Sequence, residues 1–461
     1  MKVQNSTLEH KGRRVILRGA GLARSVRQSL VRRPGSHGRS RRFFMAYCVA
    51  MILAYAILAP TTARPGFRLW GPGDFPAFYT AGHIIRDGNA HRLYDFSLQA
   101  QVQQAFLLSH GWTFAGGLLP YNYPPFFAPI FVPLSYLPLA WAFQVWSLVN
   151  IVLVLASTGL LLHVQKKRSR RDLATAGLVV LAFFPVFRGL YNGQTNFLIL
   201  FVVTLSYLAL KSKRDYLAGV TLALGLVKPQ LVVVIAAMLL YHRRWRAVSA
   251  FGITGAVLLF ISWMMVGVDG FISYVDLVRQ MSNWDSIAGI YPAAMPNLRG
   301  TVYRLGQLYH TWSGTDLSPT MLRGVILLLS AAVFVLVLRT WKGPWNPTSP
   351  TFDRQFGQTV IGTLLVSPHL NGHDLTLLIL VGFLVVSCFA CQGRSAHAHR
   401  MIAVGHVTPA LSLAALGSAG QAQVVALLLL VYMLILDKER AHTAGTTEIS
   451  GRLQVGEYRA S

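Results

Sequence analysis

Apolar runs separated by short polar or basic segments make up most of the chain. The first run, 43–60, follows a polar stretch. Later runs lie at 139–163, 173–188, 193–210, 216–227, 230–241, 247–266, 321–341, 358–366, 375–391, 401–416 and 424–436. Some are shorter than the ~20 residues of a membrane-spanning helix, but broken helices are tolerated where they line a polar cavity. The pattern predicts an all-α polytopic membrane protein with about 10–12 transmembrane helices.

Composition supports this class. Hydrophobic residues make up 53% of the chain and charged residues 13%, against about 25% charged in a typical soluble domain. These values exclude a water-soluble enzyme, a disordered protein and a fibrous protein. Lys and Arg (42) outnumber Asp and Glu (16). We expect no nucleic-acid partner, because a basic patch would share the chain with a very apolar bulk.

The basic residues predict the orientation. Residues 1–42 contain twelve Lys and Arg against one acid, Glu9, and cytoplasmic segments of membrane proteins carry such an excess. We therefore predict a disordered cytoplasmic arm (1–42), a membrane domain (43–436) and a disordered cytoplasmic tail (437–461). Asp172, Asp215 and Asp353 accompany later basic clusters, and we expect them to be solvated. Two large loops, 61–138 and 267–320, then lie outside, and the first is suited to interfacial helices.

Segments with candidate chemistry all fall on the predicted outer side. They are GPGDFPAFYTAG (71–82), GNAHRLYD (88–95), YNYPPFF (121–127), YNGQTN (191–196), LVKPQL (226–231), MPNLRGTVYRLG (295–306) and SPHLNGHD (367–374). A tight turn explains Asn-Gly, but it does not explain a Lys-Pro or a His-rich tip at membrane depth. These segments predict one polar site on the outer face.

Two charged residues stand out in these segments. Asp74 lies among glycines and aromatic residues, where burial raises the pKa of a carboxyl and suits it to act as a general base. The alternative is that Asp74 only caps the helix that follows. Lys228 lies between two apolar legs and is suited to neutralise a phosphate; the alternative is a lysine that snorkels at a helix end.

The other outer residues leave more alternatives open. His369, Asn371, His373 and Asp374 share one tip, where contact with a sugar or phosphate is expected more than a divalent metal site, because no third ligand is nearby. Gln194 and Asn196 suit hydroxyl binding or helix capping. Of Arg299 and Arg304, one is expected to contact phosphate. ATP-binding, serine-hydrolase and metalloprotease motifs are absent from the sequence.

The order of these segments resembles glycosyltransferase family 87, whose members are polyprenyl-phosphate-mannose-dependent mannosyltransferases with the multi-span GT-C fold. The resemblance runs from about Phe43 to Leu436. It rests on GDFPAFYTAGHIIRDGNAHRLYD, YNYPP, NGQTN, LAGVTLALGLVKPQL, NLRGTVYRLG and SPHLNGHDLTLL. The late segment departs from the family pattern, so which histidine corresponds is open.

The resemblance implies an inverting glycosyltransferase. Its site would face the extracytoplasmic side of the bacterial cytoplasmic membrane. A sugar, expected to be mannose, would pass from a polyprenyl-phosphate donor to a hydroxyl of a glycolipid or glycan acceptor, without a cofactor or required metal. Asp74 matches the family's proposed base, and Lys228 its membrane lysine. We assign donor-phosphate binding to Lys228, Arg299, His369 and His373. We assign sugar and acceptor binding to Tyr79, Asp95, Tyr123, Asn192, Gln194, Asn297, Asn371 and Asp374.

Two alternatives to this activity remain. A transporter or flippase of lipid-linked sugars would need similar cations around its cavity, although it would also need access from both faces. A GT-C enzyme that uses another polyprenyl-phosphate sugar would share the same site. The linkage position and the acceptor stay open at this point.

Overall fold

A computed structural model describes residues 34–61, 73–108, 118–166, 169–281, 292–391, 395–416 and 424–436. The chain divides into two compact units, 1–50 and 51–461. The described part of the first unit is the start of a helix that begins at Pro34. Residues 1–33 of the predicted arm and the whole predicted tail lie outside the described residues.

The described residues form α-helices and short 3-10 helices, without β-strands, which confirms the all-helical prediction. The first eight α-helices are α1 (Pro34–Thr61), α2 (Phe75–Arg86), α3 (Phe96–Leu108), α4 (Leu139–Val164), α5 (Arg170–Leu181), α6 (Phe184–Asn192), α7 (Asn196–Lys211) and α8 (Asp215–Ala223). The others are α9 (Val233–Tyr241), α10 (Trp245–Gln280), α11 (Leu298–Ser313), α12 (Pro319–Thr340), α13 (Pro350–Val366), α14 (Leu378–Cys391), α15 (Ser395–Leu416) and α16 (Val424–Leu436). The 3-10 helices are Ala90–Arg92, Pro125–Phe131, Pro133–Tyr136, Leu224–Val227, Pro229–Leu231, Pro292–Ala294 and Asp374–Leu377.

Several helices are suited to a lipid bilayer. Within the described part of the chain, three helices are long and apolar enough to cross it, namely α4, α10 and α12. A fourth crossing results if α5 and α6, bent by 67° at their junction, count as one span. Shorter apolar helices include α7, α16 and the segment Asp374–Phe389. The chain is thus an integral membrane protein with a core of long and broken helices.

The predicted leg at 173–188 contains a break between α5 and α6. Helix α5 ends at Leu181, and α6 begins at Phe184 with Pro185 in its first turn. Because proline lacks a backbone N–H, it fits the first turn of a new helix and not the interior of a longer one. The break therefore separates α5 from α6. The polar residues of the next turn begin at the C-terminal end of α6.

The segment predicted to form the first outer loop is held by aromatic packing. Helix α2 buries Phe75, Phe78 and Tyr79, and the Phe78 ring stacks on Phe131 with centroids 4.9 Å apart. Gly82 lies against the Phe131 carbonyl, so closely that a Cβ there would come within 2.4 Å of the oxygen. This close packing fixes the position of α2 and of the turn that precedes it.

Two aspartates expected to be solvated are buried, which makes that prediction wrong. Asp353 is 4% exposed and accepts hydrogen bonds from Lys211 Nζ at 2.6 Å, Tyr207 Oη at 2.8 Å and Ser387 Oγ at 3.0 Å. Asp215 is 8% exposed and pairs with Arg244. A carboxylate can leave water when cations and hydroxyls replace its hydration, and helix packing supplies those partners. The third, Asp172, is half-buried and accepts a hydrogen bond from Ser169 Oγ at 2.6 Å.

We call Tyr207, Lys211, Asp353 and Ser387 the inner cluster. It joins α7, α13 and α14 near one end of each helix. At the other end of α7, Asn196 Nδ2 donates to Thr376 Oγ1 at 3.0 Å. The 16 residues of α7 correspond to about 24 Å of helix. The inner cluster is thus one of two polar regions that the same helices connect.

We predict that Asp353→Asn lowers the free energy of unfolding by about 3–5 kcal/mol, because Lys211 would lose its buried counter-charge. Thermal unfolding of the purified protein in detergent measures the change. The matched control is Asp276→Asn, which removes an exposed carboxylate paired with Arg279 and should cost no more than about 1 kcal/mol. Equal losses in the two variants would contradict a structural role for the inner cluster.

Candidate active site

The side chain of Gln194 connects the residues of the site. Its Nε2 donates to Asp74 Oδ2. Its Oε1 accepts from Tyr123 Oη at 3.0 Å and from Lys228 Nζ at 3.3 Å. Lys228 Nζ also donates to Asp374 Oδ1 at 2.7 Å. We call these five residues the Gln194 cluster. All five were predicted as site residues, and five separate segments of the sequence supply them.

The turn between α6 and α7 positions Gln194. Gly193 ends α6 with φ of +62°, a conformation that favours glycine. Trp146 Nε1 donates to the Gly193 carbonyl at 2.8 Å, and Asn150 Nδ2 donates to the Gln194 carbonyl at 3.2 Å. Two side chains of α4 therefore hold the turn in place by hydrogen bonds to its carbonyl groups. Sequence reasoning missed both, although Asn150 is a polar residue within an apolar run.

Asp74 is placed by backbone contacts with the same turn. Its N–H donates to the Asn192 carbonyl at 2.9 Å. Asn192, a predicted site residue, thus contacts Asp74 through its backbone. Gly73 precedes it with φ of +39°, and a Cβ on Gly73 would come within 2.4 Å of the Asn192 Cα. Only a glycine fits at position 73, where the backbone lies against the end of α6.

The carboxylate of Asp74 does not cap α2. Asp74 occupies the N-cap position, yet its side chain makes no capping hydrogen bond and accepts from Gln194 instead. Burial raises its pKa above the ordinary value, while the Gln194 hydrogen bond and the Lys228 charge act in the opposite direction. The alternative in which this side chain serves only as a cap is therefore wrong. Its geometry suits a proton acceptor.

Lys228 lies in a non-helical step between the 3-10 helices Leu224–Val227 and Pro229–Leu231. It is 6% exposed, and its partner Asp374 is 1% exposed. A snorkelling lysine would reach water, whereas Lys228 ends in a buried ion pair. This pair places a positive charge beside Gln194, on the side opposite Asp74.

The late loop supplies Asp374 and both predicted histidines. The Asn371 backbone N–H donates to Asp374 Oδ2 at 2.9 Å, and His373 Nε2 lies 3.7 Å from Asp374 Oδ1. The His369 Nε2 lies 3.3 Å from Asn371 Nδ2. Burial lowers the pKa of His373 to about 3 and also lowers that of His369. Both imidazoles are therefore neutral at physiological pH.

Asn297, the N-cap of α11, and Arg299 in its first turn hold this loop. Asn297 Nδ2 donates to the Ser367 carbonyl at 2.7 Å, while its Oδ1 accepts from the Gly300 N–H and caps the helix. Arg299 donates to the Pro368 carbonyl at 2.7 Å. The structure thus gives both predicted residues contacts that position the loop; binding of sugar or phosphate by them stays a prediction.

Two other predicted residues lie apart from the Gln194 cluster. Tyr79 donates to the Leu137 carbonyl at 2.6 Å. Asp95 pairs with Arg92 and accepts from the backbone N–H groups of Ser97 and Leu98. Among the described residues, no hydrogen bond or ion pair links either side chain to the cluster.

Sequence reasoning also missed Arg188, the single charged residue between Asp172 and Lys211. Its charge lowers the pKa of both Asp74 and His373, so it lies close to the cluster. A lone charge in an apolar stretch was the available signal, but the sequence pattern placed Arg188 at the end of a span. As for metals, the part of the chain that the structure describes contains no group of three or more His, Cys, Asp or Glu suited to hold an ion.

Comparison with known proteins adds a family. The model of glycosyltransferase family 87 matches residues 121–368, which include Tyr123, Gln194 and Lys228. Neither the curated proteins nor the solved structures contain a match to this chain. The family match spans more than half of the chain and agrees with the resemblance seen in the sequence.

We predict that Gly73→Ala destabilises the protein more than Gly88→Ala. Both glycines have positive φ, +39° and +77°, so each substitution costs about 1–2 kcal/mol of backbone strain. A Cβ at Gly88 meets open space, whereas one at Gly73 meets Asn192 and should add about 1–3 kcal/mol. Thermal unfolding in detergent compares the two variants, and equal midpoints would contradict the tight contact at Gly73.

Proposed function

Since the chain belongs to glycosyltransferase family 87, which implies transferase activity, we propose that it is an inverting glycosyltransferase that uses a polyprenyl-phosphate sugar. The sugar is mannose, and the acceptor is a hydroxyl of a glycolipid or glycan. The observation that carries the proposal is the Gln194 amide, which joins a raised-pKa carboxylate, Asp74, to the ion pair of Lys228 and Asp374. A group suited to accept a proton and a group suited to stabilise an anion therefore contact the same side chain.

The proposed step is a single displacement. The acceptor oxygen attacks the anomeric carbon of a β-linked sugar, and a new C–O bond forms as the bond to the phosphate oxygen breaks. The electron pair of that bond leaves with the lipid phosphate. Asp74 takes the hydroxyl proton. Attack from the face opposite the leaving group inverts the configuration, so the product is an α-glycoside.

Asp74 Oδ1 is the oxygen suited to take this proton. Oδ2 accepts from Gln194, and no described residue donates a hydrogen bond to Oδ1. Asp74 also keeps part of its surface exposed, so an acceptor hydroxyl can approach. Lys228, in its ion pair with Asp374, contributes a local dipole beside the leaving phosphate. Neutral His369 and His373 offer hydrogen bonds to the phosphate or the sugar.

We further propose that the chain has the GT-C arrangement, with about 10–12 crossings, and lies in the bacterial cytoplasmic membrane. The Gln194 cluster then faces the extracytoplasmic side. Two locations support this orientation. The predicted outer motifs lie at one end of α7, and the inner cluster, next to a basic segment, lies at the other end of this helix. Helices α2 and α3 fit the interfacial helices expected in the first outer loop.

We predict that Asp74→Asn lowers turnover by about 10²–10⁴-fold, because the amide cannot accept the proton. The assay incubates purified protein with labelled polyprenyl-phosphate mannose and candidate acceptors, without a membrane gradient. Other polyprenyl-phosphate sugars, offered in parallel, test the identity of the donor. Glycoside formed under these conditions excludes pure transport.

The matched control for this prediction is Asp87→Asn at the other end of α2. Asp87 is exposed and pairs with Arg86, so its loss should leave turnover within about twofold of wild type. A folded Asp74→Asn protein that turns over at the wild-type rate would rule out Asp74 as the base.

We also predict a pH effect of Gln194→Leu. The rate requires ionised Asp74, so it falls as pH drops through the pKa of this carboxyl. The Gln194 hydrogen bond lowers that pKa; its removal therefore raises the pKa and moves the acidic limb of kcat/KM to higher pH. The control, Gln307→Leu, changes an exposed glutamine of α11 and should leave the limb in place. An unshifted limb in Gln194→Leu would separate this amide from the ionisation that limits the rate.

A further inference from the structure

The predicted cations of the site are already occupied. Lys228 is buried, and its ammonium donates to Asp374 at 2.7 Å and to Gln194 at 3.3 Å. The neighbouring carboxylate cancels most of its net charge. Lys228 therefore contributes a local dipole more than a free positive charge.

Arg299 and the two histidines do not supply that charge either. The Arg299 guanidinium donates to the Pro368 carbonyl at 2.7 Å and lies 5.5 Å from the centre of the Tyr303 ring, so these contacts hold the late loop. His369 and His373 are neutral, because burial lowers the pKa of both. A phosphodiester carries one negative charge, and the departing phosphate monoester gains another. The proposed reaction needs an available cation at this point.

Arg188 meets this need. Its side chain is exposed, and it has no hydrogen bond or ion pair with any described residue. It lies one helical turn before Asn192 on α6, on the same face of the helix, and the Asn192 carbonyl accepts from the Asp74 N–H. The next residue, Gly189, accepts from the Gln194 N–H at 3.0 Å. Arg188 thus borders the turn that carries the Gln194 cluster.

Packing keeps α6 in place while leaving Arg188 exposed. Phe187 stacks on Tyr55 with ring centroids 4.2 Å apart. Gly189 lies against Asn196 and Phe197, where a Cβ would come within 2.8 Å of each side chain. The helix is therefore fixed on both sides of Arg188. The guanidinium that extends from this fixed backbone can bind two phosphate oxygens at once.

We propose that Arg188 is the residue that binds the phosphate of the polyprenyl-phosphate donor and stabilises it as it leaves. This proposal rests on the proposed function and adds a residue that the sequence motifs had not singled out. Lys228 then orients Gln194 and moderates the charge of Asp374. Arg188 contacts the phosphate itself and compensates the charge that it gains when the anomeric C–O bond breaks.

The test measures binding separately from turnover. Purified protein in nanodiscs is titrated with a polyprenyl phosphate and, in parallel, with the uncharged polyprenol of the same chain length. Arg188→Gln should weaken binding of the phosphate about 10- to 100-fold, the loss expected for a charge-assisted hydrogen-bonded contact. Binding of polyprenol should not change. Arg188→Lys should lose less, because it keeps the charge and loses only the bidentate geometry.

The matched control is Arg279→Gln. Arg279 is an exposed arginine that pairs with Asp276 on α10, and its loss should leave both lipids bound as in wild type. In turnover assays, Arg188→Gln should raise the donor KM and leave the acceptor KM unchanged. A defect caused only by misfolding would weaken polyprenol binding as well and lower the thermal midpoint.

Two outcomes would overturn the inference. One is equal affinity of wild type and Arg188→Gln for the polyprenyl phosphate; the other is that Arg188→Gln loses polyprenol to the same extent. If Arg188→Gln loses only the phosphate lipid but wild-type protein transfers no sugar, then the Arg188 assignment stands and the proposed transferase reaction fails. If sugar transfer depends on Asp74 while phosphate binding does not depend on Arg188, then the proposed transferase reaction stands and the Arg188 assignment fails.

Discussion

The buried ion pair between Lys228 and Asp374 is the constraint on which the site depends. Each residue is less than 10% exposed, and an isolated charge in such a place would cost several kcal/mol. Lys228 comes from a break between two 3-10 helices, and Asp374 begins a third. The two segments can be buried only if they meet. Their pairing therefore requires the α8–α9 connection and the loop after α13 to converge, and the turn with Gln194 fills the space beside them.

Within that arrangement, one amide separates the charges. The lysine ammonium can only donate, so Gln194 presents its oxygen to Lys228 and its nitrogen to Asp74. A negative residue thus lies on one side of the amide and a positive residue on the other, without direct contact between them. If Asp74 and Lys228 paired directly, the carboxylate would hold its charge too well to accept a proton readily. With the amide between them, the Lys228 charge does not pair directly with Asp74. Burial therefore still raises the pKa of Asp74, and the carboxylate remains basic.

Much of this could be predicted from sequence, because the residues concerned are exceptions to their surroundings. Asp74 and Lys228 each interrupt apolar or aromatic segments, and His373 and Asp374 share a polar tip between two apolar runs. Which atoms meet could not be predicted, since it depends on helix breaks whose angles the sequence does not encode locally. Arg188 illustrates the difficulty: it seemed to end a span that in fact breaks before Phe184. The burial of Asp353 likewise depends on partners from α7 and α14, which are remote in sequence.

The inner cluster explains how the site can remain rigid without many contacts of its own. Helices α7, α13 and the segment from Asp374 to Cys391 each join the inner cluster at one end and approach the Gln194 cluster at the other. The inner cluster at one end, and the Asn196–Thr376 hydrogen bond with the Lys228–Asp374 ion pair at the other, restrict sliding of the helices against each other. The position of Asp374, and through it that of Lys228 and Gln194, is therefore set before a ligand arrives. Such preorganised charges need not reorient as charge develops during a reaction. In the proposed reaction, this favours stabilisation of the leaving phosphate over tight binding of the intact donor.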